Sequence, residues 1–206
     1  MIKDPNYNKG NLRPSETVRP KLFLFSQCKN VKIFDLAIKN GACWGLTFEL
    51  CSNLTITHIA LTNRAYWNND GMDITDCHNV RITNCDVNSA DDGICLKSYY
   101  PGHFNDSIYI ADCAIRSSAS AIKFGTASYG GFKNVTIKNI KIFDTFRSAI
   151  ALETVDGGVI ENINIQNINA VNTGNAIFIR LGHRAGEIPG VVKNIFIKDV
   201  KVQVPF

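Results

Sequence analysis

At 206 residues, 45% hydrophobic and 19% charged, the chain holds enough apolar content for a continuous core and too little charge for a disordered or coiled-coil protein. A net charge of +4 is mildly basic, but Lys and Arg are scattered and no basic run is interleaved with aromatics, so nucleic acid is excluded as a partner. Met1 opens no signal peptide and no transmembrane run follows, so a membrane partner is not expected.

The chain starts in polar loop sequence, Asp4-Pro5-Asn6-Tyr7-Asn8, and reaches its first strand near Leu22. Residues 1–20 are therefore expected to form a loop or partial cap ahead of one domain over 21–206. From there a short phrase recurs seven times: Asn-Val-Lys-Ile at Asn30, Asn-Leu-Thr-Ile at Asn53, Asn-Val-Arg-Ile at Asn79 and Ser-Ile-Tyr-Ile at Ser107. It returns at Asn134, Asn162 and Asn194, with intervals of 23, 26, 28, 27, 28 and 32 residues between successive starts. Repeats of this length mark a solenoid, whose units bury their apolar faces only against their neighbours.

The phrase alternates with period two, which means strand. A second strand precedes each phrase: Gly45–Glu49, Gly71–Thr75, Gly93–Lys97, Ala121–Gly125, Ala149–Glu153 and Ala176–Arg180. In all of these the second and fourth members are large and apolar and point inward, and the mixed third and fifth point out. Short strands with no long helix give an all-β fold, a single-stranded parallel β-helix of about seven coils. The recurring Asn suits left-handed corners and stacked amide ladders.

The seven cysteines fall in columns, Cys28, Cys51 and Cys77 two residues before the repeat Asn and Cys85 with Cys113 in an inward column. That placement reads as small core residues, with a Cys28–Cys51 bond open only under oxidation, and no C-x-x-C pair supports zinc. The chain stops at Pro205-Phe206 with nothing to cover its last coil, which suggests a piece of a longer secreted protein and an edge prone to self-association. The piece itself is taken as a monomer.

One column carries chemistry. The residues just before each outer strand are Trp44, Asp70, Asp92, Ser120, Ser148 and Asn175. Asp70 and Asp92 thus fall in neighbouring coils, with Asp91 beside one and Asp73 outward on the same face. Carboxylates this close raise one another's pKa, so one is expected to stay protonated near neutral pH. Glycosidic hydrolysis needs such a pair, one protonated and one ionised. Asn-Asp-Gly and Asp-Asp-Gly are also ordinary turn sequences, and stacked carboxylates also suit a calcium ion.

Asn68-Asn69-Asp70-Gly71-Met72-Asp73 resembles the Asn-Thr-Asp-Gly-x-Asp motif of glycoside hydrolase family 28, the polygalacturonase family. Asp91-Asp92-Gly93-Ile94-Cys95-Leu96-Lys97-Ser98 is similar to its Asp-Asp-Cys-Ile-Ala-Ile-Lys-Ser motif, and Asn40-Gly41-Ala42-Cys43-Trp44 to its Asn-Ser-Pro-Phe-Trp segment. Arg19-Pro20 fits as well. The resemblance implies a right-handed β-helix, an extracellular or periplasmic setting, no cofactor or metal, and inverting hydrolysis of a pectin-type polysaccharide or oligosaccharide. It makes Asp91 the general acid and Asp70 with Asp92 the pair that holds and activates water. Asn68, Asp73 and Lys97 from these motifs, with Lys123, Glu153 and Arg180, are the expected substrate contacts.

The departures bear on specificity. Ala119-Ser120-Ala121 stands where the family has Gly-His-Gly, and Ala151-Leu152-Glu153 where it has Arg-Ile-Lys. A uronate site that loses its arginine needs a replacement. Lys123, Arg147, Arg180, His183 and Arg184 lie on the same face, and Glu153 either pairs with Lys123 or binds a neutral sugar. Tyr66, Trp67, Tyr99, Tyr100 and Phe104 are expected near the cleft, where aromatic faces pack on sugar rings. Two other functions fit this architecture: a non-catalytic carbohydrate-binding or structural module, and a calcium-dependent polysaccharide lyase. The lyase needs an arginine base beside the acids, and Arg147 and Arg180 lie about two and three coils away, at roughly 4.8 Å per coil.

Overall fold

The computed structural model describes residues 19–205. The expected loop or partial cap at residues 1–20 lies outside the described residues except for Arg19 and Pro20. The first two coils are built from β1 (Phe23–Ser26), β2 (Lys29–Lys39), β3 (Leu46–Glu49) and β4 (Ser52–Asn63). The next two use β5 (Met72–Thr75), β6 (His78–Thr83), β7 (Asp86–Ser89), β8 (Ile94–Ser98) and β9 (Asn105–Ser117). Then come β10 (Ile122–Ser128), β11 (Gly131–Thr154), β12 (Val159–Leu181) and β13 (Val191–Gln203). No described residue is helical, so no helix is long and apolar enough to cross a membrane.

Every pairing between these strands is parallel, and the chain winds as a right-handed parallel β-helix. Its first face stacks β1, β3, β5, β8, β10 and the ends of β11 and β12. The repeated phrase forms the second face, where Ile33, Ile56, Ile82, Ile110, Ile137, Ile165 and Ile197 pair in sequence, one per coil. Those side chains, with inward residues such as Phe48, Ile74, Leu96, Phe124 and Leu152 from the first face, make one continuous core. All seven cysteines are free.

The corners explain why β11 runs unbroken for 24 residues. The repeat residue of each coil, Asn30 through Asn194 with Ser107 among them, has φ between 53° and 59°. A second corner column, Asp35, His58, Asn84, Asp112, Asn139, Asn167 and Asp199, has φ between 52° and 57°. One left-handed residue turns the chain while its neighbours keep their ladder bonds, and Asn and Asp tolerate that conformation best. The amides stack as expected: Asn53 Nδ2 donates to Asn30 Oδ1 at 2.8 Å and Asn79 Nδ2 to Asn53 Oδ1 at 2.8 Å. Where Ser107 interrupts the column, Asn134 Nδ2 reaches Asp106 Oδ1 at 2.7 Å instead.

Asn79→Ala should therefore destabilise the protein through two separable losses. Placing Ala in the left-handed region costs about 1–2 kcal/mol, and losing the ladder bond costs about 1 kcal/mol. Urea unfolding of Asn79→Ala beside Asn79→Gly checks this, because Gly removes the bond but not the backbone preference. Equal losses in the two variants would contradict the corner account.

Candidate active site

Glycines set the spacing of the acid column. A Cβ on Gly71 would strike the Gly93 carbonyl oxygen of the next coil, and one on Gly93 would lie 2.5 Å from the Ala121 carbonyl oxygen. Neither glycine has positive φ. They are required for close coil-to-coil approach beneath Asp70 and Asp92, and not for the turn conformation that Asn-Asp-Gly and Asp-Asp-Gly suggest. Asn63 and Asn69, both buried, pin the surrounding loops. Asn63 Nδ2 donates to the carbonyls of Cys43 and Asp70, each at 2.8 Å, and Asn69 Nδ2 to those of Gly41 and Cys43 at 2.8 and 2.6 Å. The Arg19 guanidinium joins this staple by donating to the carbonyls of Ala42 and Trp67.

Asp91 is half-buried and its backbone is fixed twice over. The hydroxyls of Ser89 and Ser117 both donate to its carbonyl, at 2.7 and 2.6 Å. Its Oδ1 accepts the Asp92 N–H at 3.1 Å. Asp92 Oδ1 in turn accepts the Ser120 N–H at 3.2 Å, so the residue standing in for the motif histidine still touches an acid through its backbone. Carboxylate oxygens of Asp70 and Asp92 and the Cys95 sulfur all lie within 4.8 Å of one another.

Two buried lysines hold this cluster. Lys97 Nζ lies 3.2 Å from Asp70 Oδ2 and 3.1 Å from Asp73 Oδ1. Lys123 Nζ lies 3.7 Å from Asp92 Oδ2 and 3.0 Å from Glu153 Oε1. Burial, then the charge of Asp73, pushes the Asp70 carboxyl well above the usual carboxylate range, with Lys97 pulling the other way. Burial likewise lifts Asp73, to about 6, against the pull of Lys97. Burial works against the charged form of Lys97, but Cys95, Asp73, Asp70 and Asp92 outweigh it and raise the ammonium above its ordinary value. With two lysine ammoniums already paired to the carboxylates and a thiol as the third ligand atom, this cluster suits a calcium ion poorly, since calcium takes six to eight oxygen ligands.

The expected site residues thus divide. Asp70, Asp91, Asp92, Lys97 and Lys123 come together, and Glu153 pairs with Lys123. Asp73 corrects an expectation: it is 0% exposed and lies beneath Lys97, so it has no surface to offer a sugar. Asn68 is half-buried in the loop ahead of Asp70 with φ of 55°, and Arg180, mostly exposed, lies 4.0 Å from Glu153 Oε2. Arg184 is spent elsewhere, in a two-pronged pair with buried Asp156 at 2.7 and 2.6 Å. Phe104 also leaves the cleft group, packing edge-on against His78 at 5.3 Å. Tyr99 stacks instead on Trp44, which was not among the aromatics expected there, at 6.4 Å, and the Lys97 and Lys21 ammoniums lie 4.7 and 4.5 Å from the indole centroid. Beyond the acids opens a cleft of about 480 Å³, whose lining includes Ser120, Lys123, Arg147, Glu153, Phe178 and Arg180.

Sequence reading missed Ser89, Ser117, Asn63 and Cys95. The two serines share a column, Ser89 pairing with Ser117 across one coil, and that repetition beside Asp91 was the available signal.

Solved structures share this fold. A hyperthermoactive exopolygalacturonase from Thermotoga maritima is similar at 29% identity and a TM-score of 0.83, over 89% of this chain and 44% of that one. A polygalacturonase from Erwinia carotovora ssp. carotovora is 17% identical with a TM-score of 0.70, over 90% and 58% of the two chains. The family 28 exopolygalacturonase of Yersinia enterocolitica shares the fold at 16% identity and a TM-score of 0.68, over 85% and 34%. The chain therefore spans less than half the length of the Thermotoga protein. No curated protein matches. The model of glycosyl hydrolases family 28 matches residues 6–204, and with the two acidic motifs on adjacent coils of a parallel β-helix, the chain belongs to that family.

Proposed function

We propose that this chain hydrolyses glycosidic bonds of a pectin-type polysaccharide or oligosaccharide with inversion. Asp91 gives its proton to the leaving oxygen, and Asp70 and Asp92 hold a water on the opposite side of the scissile bond. The observation that carries this reading is the approach of the Asp70 and Asp92 carboxylate oxygens to within 4.8 Å of each other, with Asp92 in contact with Ser120 and Lys123, which line the open cleft. A water between the two carboxylates can keep one hydrogen bond to each. Burial favours the protonated form of Asp70, which leaves Asp92, next to the Lys123 ammonium, to take the water's proton.

Support for altered specificity comes from the cleft. Ala151 and Glu153 stand where the family motif carries cations, and the Glu153 carboxylate is turned onto Lys123. Reducing-sugar release from polygalacturonate, rhamnogalacturonan, arabinan and galactan tests the reading, with the anomer of the first-formed product read by NMR. Release of the inverted anomer from one acidic or rhamnose-containing polymer is the expected result. No release from any polymer, with binding retained in a pull-down, would favour the non-catalytic module.

A further inference from the structure

Two carboxylate–lysine–carboxylate triads stand side by side in the site. Lys97 bridges Asp70 and Asp73, and Lys123 bridges Asp92 and Glu153. They arise from different columns: Lys97 is the fifth member of its strand and Lys123 the third of the next, where it pairs in register with Cys95. The same arrangement is thus reached twice by different backbone positions. In each triad one carboxylate belongs to the water-holding pair and the other is buried behind the lysine.

We propose that Lys123 and Glu153 are positioning residues for hydrolysis, Glu153 fixing the Lys123 ammonium against Asp92 as Asp73 fixes Lys97 against Asp70. This rests on Asp70 and Asp92 being the pair that holds the water. An ammonium on a four-carbon stem has many rotamers and loses that freedom at a cost. A second carboxylate at 3.0 Å, in a place where both side chains are under 10% exposed, selects one of them. It also accounts for an acidic residue at the position of a family lysine. Glu153 is paired inward and leaves Arg180 and Arg147 as the cations that face the open cleft.

The charges around Asp92 give the triad its effect. The carboxyl groups around Asp92 are Asp91 on its own loop, Asp70 and Asp73 from the preceding coil, and Glu153 across the Lys123 ammonium. Cys95 contributes a thiol 4.0 Å from Asp92 Oδ2, and Lys97 and Lys123 supply the offsetting cations, with Arg180 behind Glu153. Removing Lys123 takes away the ammonium that Asp92 shares with Glu153 and leaves Asp92 among the carboxyl groups of Asp91, Asp70, Asp73 and Glu153, so a carboxylate there loses its nearest counter-charge.

The test measures pH profiles of the wild-type chain, Lys123→Met, Lys123→Arg, Glu153→Gln and the Lys123→Met/Glu153→Gln double variant on the polymer that the wild type cleaves. Lys123→Met should lower kcat about tenfold or more with KM changed less than about threefold, and raise the acidic limb of kcat/KM by about one pH unit. Lys123→Arg should return the limb to its wild-type place. Glu153→Gln should lower kcat alone but add nothing once Lys123 is Met, which is the signature of action through the lysine. Far-UV circular dichroism confirms folding, and Lys123→Gln replaces the Met variant should that one not fold. An unmoved limb in an active Lys123→Met or Lys123→Gln overturns the proposal while leaving the hydrolase intact. So does a Glu153→Gln loss that adds in full to the Lys123 loss, which would make Glu153 a direct sugar contact. A wild-type chain that cleaves no polymer overturns both readings together.

Discussion

Asp91→Asn should reduce sugar release by about 100- to 10,000-fold while leaving the fold unchanged, the range expected for removal of a general acid. The two effects separate because Asp91 is held by its backbone. Ser89 and Ser117 donate to its carbonyl, and neither bond involves the side chain. An amide oxygen at the same position still accepts the Asp92 N–H, so the loop keeps its shape. What the amide lacks is a proton acidic enough to pass to a leaving oxygen. Release rates and thermal melting of the two proteins decide the matter. A variant that melts like the wild type and cleaves like it would remove Asp91 from the acid's role. A variant that loses activity only because it unfolds would show that the serines do not carry the loop.

Much of the coil was legible because a solenoid reports its own register. The Ile33-to-Ile197 column could be aligned from sequence spacing alone, and the structure pairs those residues one by one. The adjacency of Asp70 and Asp92 followed from the same alignment. The second corner column was open to the same alignment and was missed: Asp35, His58, Asn84, Asp112, Asn139, Asn167 and Asp199 each follow the repeat residue by five positions, and all but His58 are Asp or Asn. Alignment could not place the ends of long side chains. Arg184 and Lys123 both looked like outward cations, yet one reaches across to buried Asp156 and the other into the acid cluster. Asp73 shows the limit most clearly. Its outward position is as expected, but Lys97 of the next coil lies over it, and whether an outward residue meets solvent depends on the neighbour's reach.

That cover makes Lys97 the most demanding residue of the site for stability. Lys97→Met would retain much of the packing, since the ammonium lies 4.7 Å from the Trp44 ring and a thioether suits that place. It would leave Asp70 and Asp73 buried without their cation, which costs about 3–5 kcal/mol when both partners stay out of water. The loss must depend on pH, and its sign is fixed. Asp73 has a folded-state pKa of about 6 against an ordinary 3.8, so the folded protein binds its proton more tightly than the unfolded chain does. Its contribution to stability is full below the ordinary value and is lost as pH rises through about 6. Removing Lys97 takes away the charge that pulls both carboxyls down, so the folded values climb and the loss at neutral pH deepens. Urea unfolding at about pH 5 and about pH 7.5 should therefore show a small gap between variant and wild type at the lower pH and a large one at the higher. The same gap at both would place the cost in packing around Trp44, and the lysine would then be a filler in the wall and not the counter-charge of the acids.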